Sequence, residues 1–292
     1  MAAPSHRSRG RWLVGALLVA LMGLVFWPTF RWMAERFDAH DSFYSHGWLV
    51  PVAALWLVWQ RRAVLRRTPR QPSWWGVALL IPAVLVHVAA TWWRVGFVSG
   101  LACITAIWAL VWTCAGGRVL WALRFPLLFL LFMVPLPGVL LITCSFHLKM
   151  MAASLATAVL NLCGLSAVHA GSTIDVRGAS VVVDDTCSGL RSLISLVTLS
   201  TLWTSVMPHG SPRWQQLTIV AASIPIALVA NMVRIIMLTL LAAVYGPAAA
   251  EGFLHYGSGV VVFGVALLVL AWLTKVLHEC SVSSFDLPRS RA

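Results

Sequence analysis

The chain carries very little charge: Asp, Glu, Lys and Arg make up 10% of its 292 residues, against about 25% in ordinary soluble domains. It contains no Cys-x-x-Cys pair, no histidine-rich tract and no glycine-rich phosphate-binding loop. The sequence therefore gives no support to a metal or nucleotide site, and we predict no cofactor and no bound metal. It also has no evident internal repeat or linker, which predicts one domain over residues 1–292 with polar tails at 1–11 and 278–292.

Apolar residues take the place of the missing charge. They make up 60% of the sequence, the mean hydropathy is +0.86, and there are 16 tryptophans, a residue that concentrates at bilayer interfaces. This composition predicts an integral membrane protein with the lipid bilayer as a partner. The net charge of +12 would otherwise suggest nucleic acid. Because the basic residues lie in short loops between apolar runs, we predict no nucleic-acid partner.

Apolar runs of about 20 residues are long enough to cross a bilayer as a helix, and the chain has about eight runs near this length. They are Trp12–Phe30, His46–Gln60, Trp74–Trp93, Val95–Ala115, Phe125–Cys144, Cys187–Met207, Gln216–Tyr245 and His255–Leu277. The sequence therefore predicts an all-α membrane protein, a polytopic bundle of about eight transmembrane helices.

Two further segments are predicted to lie outside the hydrocarbon core. Ser145–Leu165 has a helical period but carries His147 and Lys149, which favours an amphipathic helix at the interface. Ser172–Val183 alternates between apolar and polar positions and is rich in β-branched residues. This pattern predicts a short β-hairpin directly before the sixth apolar run.

The basic residues predict the orientation. If the N-terminus is inside, most of the 21 Lys and Arg residues fall in inner segments, above all in the arginine-rich segment 61–70. The positive-inside rule then places both termini in the cytoplasm. The predicted hairpin and the start of the sixth run consequently lie at the outer face.

The junction between the hairpin and the sixth run holds a cluster of small and polar residues, Asp184-Asp185-Thr186-Cys187-Ser188-Gly189. Asp185 or Thr186 can cap a helix that begins here, because a side-chain oxygen can accept from its free N–H groups. Cys187 would then lie in the first turn, where the helix dipole favours a thiolate, with Arg191 one turn further on. Free cysteines are more often small buried hydrophobes, so Cys187 alone leaves both interpretations open.

Ionisable residues inside membrane spans are costly and are read as functional by default. Arg234 lies well inside the seventh run, with Asn231 three residues earlier on the same helix face. A structural ion pair or a carbonyl clamp is the alternative for Arg234. His255 opens the eighth run, where by itself it fits an amphipathic boundary residue.

The predicted topology brings these residues together. The sixth run starts outside, the seventh ends outside and the eighth starts outside, so Cys187, Arg234 and His255 fall on the same side of the bilayer. A thiol, a guanidinium and an imidazole supply a nucleophile, an oxyanion or carboxylate binder and a general base. This combination suits acyl transfer through a thioester.

The motifs around these residues resemble those of the exosortase/archaeosortase family of membrane-embedded cysteine transpeptidases. The resemblance is carried by Cys187-Ser188-Gly189-Leu190-Arg191-Ser192-Leu193, Asn231-Met232-Val233-Arg234-Ile235, and His255 followed by Gly257 and Gly259. Supporting similarities are Tyr44-Ser45-His46-Gly47-Trp48-Leu49-Val50-Pro51 and Pro135-Leu136-Pro137. Histidine at position 255 is similar to the bacterial branch. Asp185-Thr186 departs from the Glu and small residue that more often precede the cysteine.

The resemblance implies a cysteine peptidase or transpeptidase of the cell inner membrane, active on its periplasmic side. It implies protein substrates that are exported and membrane-anchored, with a C-terminal Pro-Glu-Pro (PEP-CTERM) sorting signal, and a link to exopolysaccharide production. Cys187 is implied as the nucleophile, Arg234 as the oxyanion stabiliser and His255 as the general acid/base.

Four further residues are candidates for a supporting or substrate-binding role. They are Arg191, Asn231, Asp185 and His46. As a hypothesis, Arg191 or Arg177 pairs with the glutamate of the sorting signal. For His46 we favour an interfacial anchor beside Trp48, with a substrate contact as the alternative.

Other classes of protein stay open at this point. A transporter or lipid-handling protein would line a substrate path with Arg234, Arg191 and His46. The Pro135-Leu136-Pro137 break is a device that transporters use, but the sequence shows no paired half-helices in matching positions. An assembly factor without catalysis would tolerate the loss of Cys187. A rhomboid-like serine protease would need a Gly-x-Ser-x-Gly motif, which the sequence lacks.

Overall fold

The computed structural model describes residues 6–40, 42–176, 179–183, 188–207, 211–246 and 253–285. Side chains at 6–14, 179, 253–256 and 280–285 lie outside that description. The chain divides into two compact units, Met1–Leu136 and Pro137–Ala292. The two are described separately below.

In the first unit, apolar runs form helices that are joined by short polar turns. The α-helices are α1 (His6–Val25), α2 (Trp27–Phe37), α3 (Leu49–Gln60), α4 (Arg62–Arg67), α5 (Trp74–Trp92), α6 (Gly96–Ala115) and α7 (Gly117–Phe129). Two 3-10 helices, Ser45–Trp48 and Leu130–Met133, precede α3 and follow α7. A buried cluster that includes Phe26, Ala83, Cys103 and Ala106 joins the α1–α2 junction to α5 and α6.

The junction between α1 and α2 is a bend of 65°. Pro28, in the first turn of α2, has no N–H to donate back into α1, so the helical hydrogen bonding is interrupted there. At this bend the carbonyl of Val25, the last residue of α1, accepts a hydrogen bond from Nε2 of His87, at 2.9 Å. Because Nε2 is the protonated nitrogen, Nδ1 accepts from the hydroxyl of Ser99, at 2.8 Å. A side chain of α5 thus supplies a hydrogen bond to the backbone at the bend.

Thr29 completes this buried polar group. Its hydroxyl is bonded to that of Ser99, and Thr29, His87 and Ser99 are all 3% exposed or less. Both ring nitrogens of His87 have partners, so the group satisfies the polar atoms that it buries. Its role is to hold α1, α2, α5 and α6 together.

We expect His87→Leu to lower the free energy of unfolding by about 1–2 kcal/mol, because the Val25 carbonyl and the Ser99 hydroxyl lose their partner. Denaturant unfolding of the purified protein in detergent measures this change. Leu85→Ala is the control, since Leu85 lies on the same helix and is 63% exposed. Equal stability of the His87→Leu variant and the parent protein would contradict the role given to this group.

The second unit is built around one long helix. Its α-helices are α8 (Gly138–Leu162), α9 (Leu190–Val206), α10 (Arg213–Tyr245) and α11 (Phe253–Phe285), and its strands are β1 (Ala167–Ala170), β2 (Thr173–Val176) and β3 (Ala179–Val182). Helix α10 packs against α8, α9 and α11 and also contacts β2 and β3. Every other element of the unit except β1 therefore takes its position from α10.

The strands form one antiparallel sheet in the order β1-β2-β3. Ile174 and Val176 are buried while Asp175 between them is exposed, the alternation that the sequence predicts. The buried face packs on Ala153 and Ala156 of α8 and on Ile235 of α10. The predicted hairpin corresponds to β2 and β3, and β1 is an additional strand.

The predicted boundary between the fifth span and the interfacial helix is wrong. Pro135 and Pro137 leave the backbone extended, and Gly138–Leu162 then forms a single helix that is itself long and apolar enough to cross a membrane. The boundary expected at Cys144 lies inside this helix. The polar residues of α8 are spread along its length and do not interrupt the helix.

The predicted fold class is confirmed: the chain is an all-α membrane protein with a small sheet ahead of Cys187. In the described ranges, five helices meet the length and apolarity of a membrane span, or six if the bent pair α1–α2 counts as one. They are α5, α6, α8, α10 and α11. The second and sixth predicted spans correspond to the shorter helices α3 and α9.

Candidate functional site

The start of α9 is set by a glycine. Gly189 is the N-cap residue and has a left-handed backbone, with φ +82°. The hydroxyl of Ser192 and the N–H of Leu193 both donate to the Gly189 carbonyl, at 2.9 Å each. The helix therefore begins at Leu190, later than the sequence predicts.

This start corrects the predicted cap. Neither Asp185 nor Thr186 is the N-cap, and Cys187 lies ahead of the helix rather than in its first turn. The argument from helical spacing between Cys187 and Arg191 consequently does not hold. Asp184, Asp185, Thr186 and Cys187 themselves lie outside the described residues.

Gly189 lies directly on the side chain of Asn231 in α10. A Cβ atom at position 189 would be 2.9 Å from both Cγ and Nδ2 of Asn231, too close for any real contact. Asn231 is only 6% exposed. Glycine is required here twice, by the positive φ and by the close approach of α10. The residue two positions after Cys187 is thus fixed against α10.

Arg234 lies one turn further along α10, half-buried, and points toward α11. Its Nε donates to the hydroxyl of Ser258 at 3.4 Å, and its Cζ and Nη2 lie 3.6 Å from where a Cβ at Gly259 would stand. A Cβ at position 259 would make only an ordinary van der Waals contact with the guanidinium, so the close approach does not require a glycine here. Arg234 therefore contacts the second turn of α11.

His255 belongs to the first turn of α11, which begins at Phe253. Ser258 and Gly259 follow it by three and four positions, so these positions share one helix face. The imidazole of His255 lies outside the described side chains. The hydrogen bond between Arg234 and Ser258 therefore lies one helical turn from position 255.

A small cavity of about 40 Å³ lies where α9, α10 and α11 meet. It is lined by Ser192, Leu196, Ala227, Ala230, Asn231, Arg234, Gly259, Val262, Phe263 and Ala266. A volume of this size accommodates about one water molecule or a group such as a carbonyl oxygen. Its polar wall is formed by the side chains of Ser192, Asn231 and Arg234.

The remaining candidates are divided between the two units. Arg191 is the second residue of α9, next to Ser192. His46 belongs to the first unit, in the 3-10 helix before α3, where its ring stacks on Tyr44 at 5.8 Å between centroids. Its role stays a prediction.

The two supporting motifs of the first unit meet each other. The hydroxyl of Tyr44 accepts from the N–H of Leu136 at 3.1 Å. Because the flanking Pro135 and Pro137 have no N–H, this is the sole backbone donor of the Pro-Leu-Pro segment. The contact thus joins two motifs that lie far apart in the sequence.

Sequence reasoning missed two residues of this region. Ser258 is not singled out in the sequence analysis, although a hydroxyl three residues after His255 is suitably placed for a partner of Arg234. Gly189 is taken there only as part of a motif, although glycine is the residue that most readily adopts a left-handed backbone.

Over residues 32–272 the chain matches the family model described as transmembrane exosortase (Exosortase_EpsH). This range is more than half of the chain and includes the whole of the region built above. The curated proteins and the solved structures give no match.

Gly189→Ala tests the contact with Asn231. Gly164 is a matched control, because it also has a positive φ, of +80°, but a Cβ there would meet nothing within 4 Å. Both substitutions carry backbone strain of about 1–2 kcal/mol, and only Gly189→Ala adds an overlap, worth about 1–3 kcal/mol more. Denaturant unfolding in detergent compares them. Equal destabilisation by the two variants would contradict the close approach of α10.

Proposed function

Since the chain belongs to the transmembrane exosortase family, a family of the membrane-transpeptidase type, we propose that it is a membrane-embedded cysteine transpeptidase. Its substrates are exported, membrane-anchored proteins with a C-terminal sorting signal of the Pro-Glu-Pro type. It cleaves this signal through a thioester and passes the acyl group to an acceptor.

One observation supports the proposal most strongly. Asn231 and Arg234, one turn apart on α10, contact the start of α9 and the second turn of α11 respectively. The first contact is two residues after Cys187, and the second is three residues after His255. A buried asparagine and a guanidinium thus bridge the two chain segments that carry the proposed nucleophile and the proposed base.

In the proposed reaction, the thiol of Cys187 gives its proton to His255 and its sulfur bonds to the scissile carbonyl carbon. The guanidinium of Arg234 binds the oxyanion that forms. His255 gives the proton to the leaving amine, the C–N bond breaks, and a thioester remains. The acceptor then attacks the thioester and loses a proton to His255, which returns it to the sulfur. Asn231 and Asp185 are proposed to support the site.

The proposed location is the cell inner membrane, with both termini cytoplasmic and the site on the periplasmic side. This side follows from the positive-inside rule applied to the basic loops, and it places the sheet outside, directly before Cys187. A substrate held by its own transmembrane anchor presents its scissile bond at this interface.

Cleavage of a reporter that ends in a Pro-Glu-Pro signal, an apolar helix and an arginine cluster tests the proposal in cells. We expect Cys187→Ala, Arg234→Ala and His255→Ala each to lower tail removal at least about 100-fold. Arg213→Ala is the control, because Arg213 is an exposed arginine at the other end of α10. Gel shift and membrane levels of each variant are measured together. Equal tail removal by Cys187→Ala and the parent would exclude Cys187 as nucleophile and would favour the transporter or lipid-handling class.

Ser258→Ala tests how Arg234 is held. The bond from Arg234 Nε to Ser258 is long, at 3.4 Å, so we expect its loss to slow reporter cleavage by about 2- to 10-fold, without abolishing it. Ser205→Ala is the matched control, because Ser205 donates to the carbonyl of Leu202 in its own helix, at the far end of α9. A rate for Ser258→Ala equal to that of the control would show that Ser258 does not orient Arg234.

A further inference from the structure

Arg191 is half-buried in the first turn of α9, and one edge of its guanidinium has no acceptor in the described part of the chain. Nε and Nη2 are both buried and have no hydrogen-bond partner among the residues that the structure describes. These two nitrogens form one edge of the guanidinium plane, with parallel N–H bonds. That edge is the one that binds a carboxylate through two hydrogen bonds.

Burying such an edge without an acceptor is unfavourable, because the N–H groups lose water and gain nothing. The buried histidine of the first unit shows the alternative, since both nitrogens of His87 have partners. Arg191 is therefore arranged for an acceptor with two oxygens in one plane. The N-terminal end of α9 adds a positive helix dipole that also favours an anion.

The position of Arg191 indicates where the anion comes from. Its neighbour Ser192 lines the cavity beside Arg234. Arg191 itself lies four positions after Cys187, a separation that the chain spans with at most about 14 Å. We propose that the Nε–Nη2 edge of Arg191 binds a carboxylate side chain of the substrate, within a few residues of the scissile bond. This inference rests on the proposed function and deepens it.

The proposal gives the two arginines different tasks. Arg234 donates to Ser258 and contacts α11. A guanidinium held in this way is suited to stabilise the oxyanion of the reaction. Arg191 presents a planar pair of donors, which suits recognition of an acidic residue. Lysine at position 191 would keep the charge and lose the paired geometry.

Binding is measured apart from catalysis. The probe is a fluorescent peptide of the sorting-signal segment with a single glutamate, and its Glu→Gln form, added to purified Cys187→Ala protein in detergent. Fluorescence anisotropy gives the dissociation constants. We expect the glutamate peptide to bind about 10- to 100-fold more tightly than the glutamine peptide.

Adding Arg191→Gln should reduce this preference to within about 2-fold, and Arg191→Lys should leave an intermediate value. Arg213→Gln is the matched control and should keep the full preference. A preference that survives Arg191→Gln would overturn the proposal. An equal loss of affinity for both peptides in Arg191→Gln would also overturn the proposal. That result would point to a lipid phosphate, or to Asp185 of this chain, as the group that Arg191 binds.

Cleavage of glutamate and glutamine reporters by the unmodified protein separates this inference from the proposed function. Cys187-dependent cleavage without a preference for glutamate would overturn the role of Arg191 and leave the transpeptidase intact. A preference in binding that depends on Arg191, without any cleavage, would support the carboxylate site and count against the reaction. Failure of both peptides to bind would overturn the carboxylate site.

Discussion

The contact between Gly189 and Asn231 is the constraint on which the candidate site depends. It holds the backbone that follows Cys187 so close to Asn231 of α10 that only a residue without a side chain fits at position 189. Arg234 lies one turn further along the same helix and reaches α11. Because α10 also contacts α8 and two strands of the sheet, the segments on both sides of Cys187 are fixed by one helix. A larger residue at position 189 would push the start of α9 away from α10.

Polar groups inside this membrane protein are of two kinds, and their hydrogen bonding tells them apart. His87, Ser99 and Thr29 satisfy one another and the carbonyl of Val25 at the α1–α2 bend. That network stabilises the fold and offers nothing to a ligand. Arg191 buries one edge of its guanidinium without an acceptor in the described part of the chain. An unsatisfied group costs stability, so its natural explanation is a ligand that completes it.

Much of this arrangement can be predicted from the sequence. The alternation of Ile174, Asp175 and Val176 predicts a strand with one buried face, and length and apolarity predict α10 and α11 as spans. Arg234 stands out because ionisable residues within such runs are rare. These features are local, or depend only on composition, so a single sequence contains them.

Features that depend on contacts between distant residues could not be predicted in this way. The bend at Pro28 needs the hydrogen bond from His87, and the start of α9 needs the side chain of Asn231 beside Gly189. The continuous helix α8 was missed because hydropathy alone does not show that Pro135 and Pro137 begin a helix instead of interrupting one. The partner of Arg234, Ser258, comes from another helix.

The most direct test of the central claim asks whether Cys187 and Arg234 share one site. The rate of alkylation of Cys187 by iodoacetamide is followed against pH by mass spectrometry in purified protein, which needs no substrate. If Cys187 and Arg234 share one site, the guanidinium lowers the pKa of the Cys187 thiol below its ordinary value, so Arg234→Gln should move the alkylation profile to higher pH. Arg213→Gln should leave it unchanged. An identical pKa in the Arg234→Gln variant and the parent protein would contradict the account.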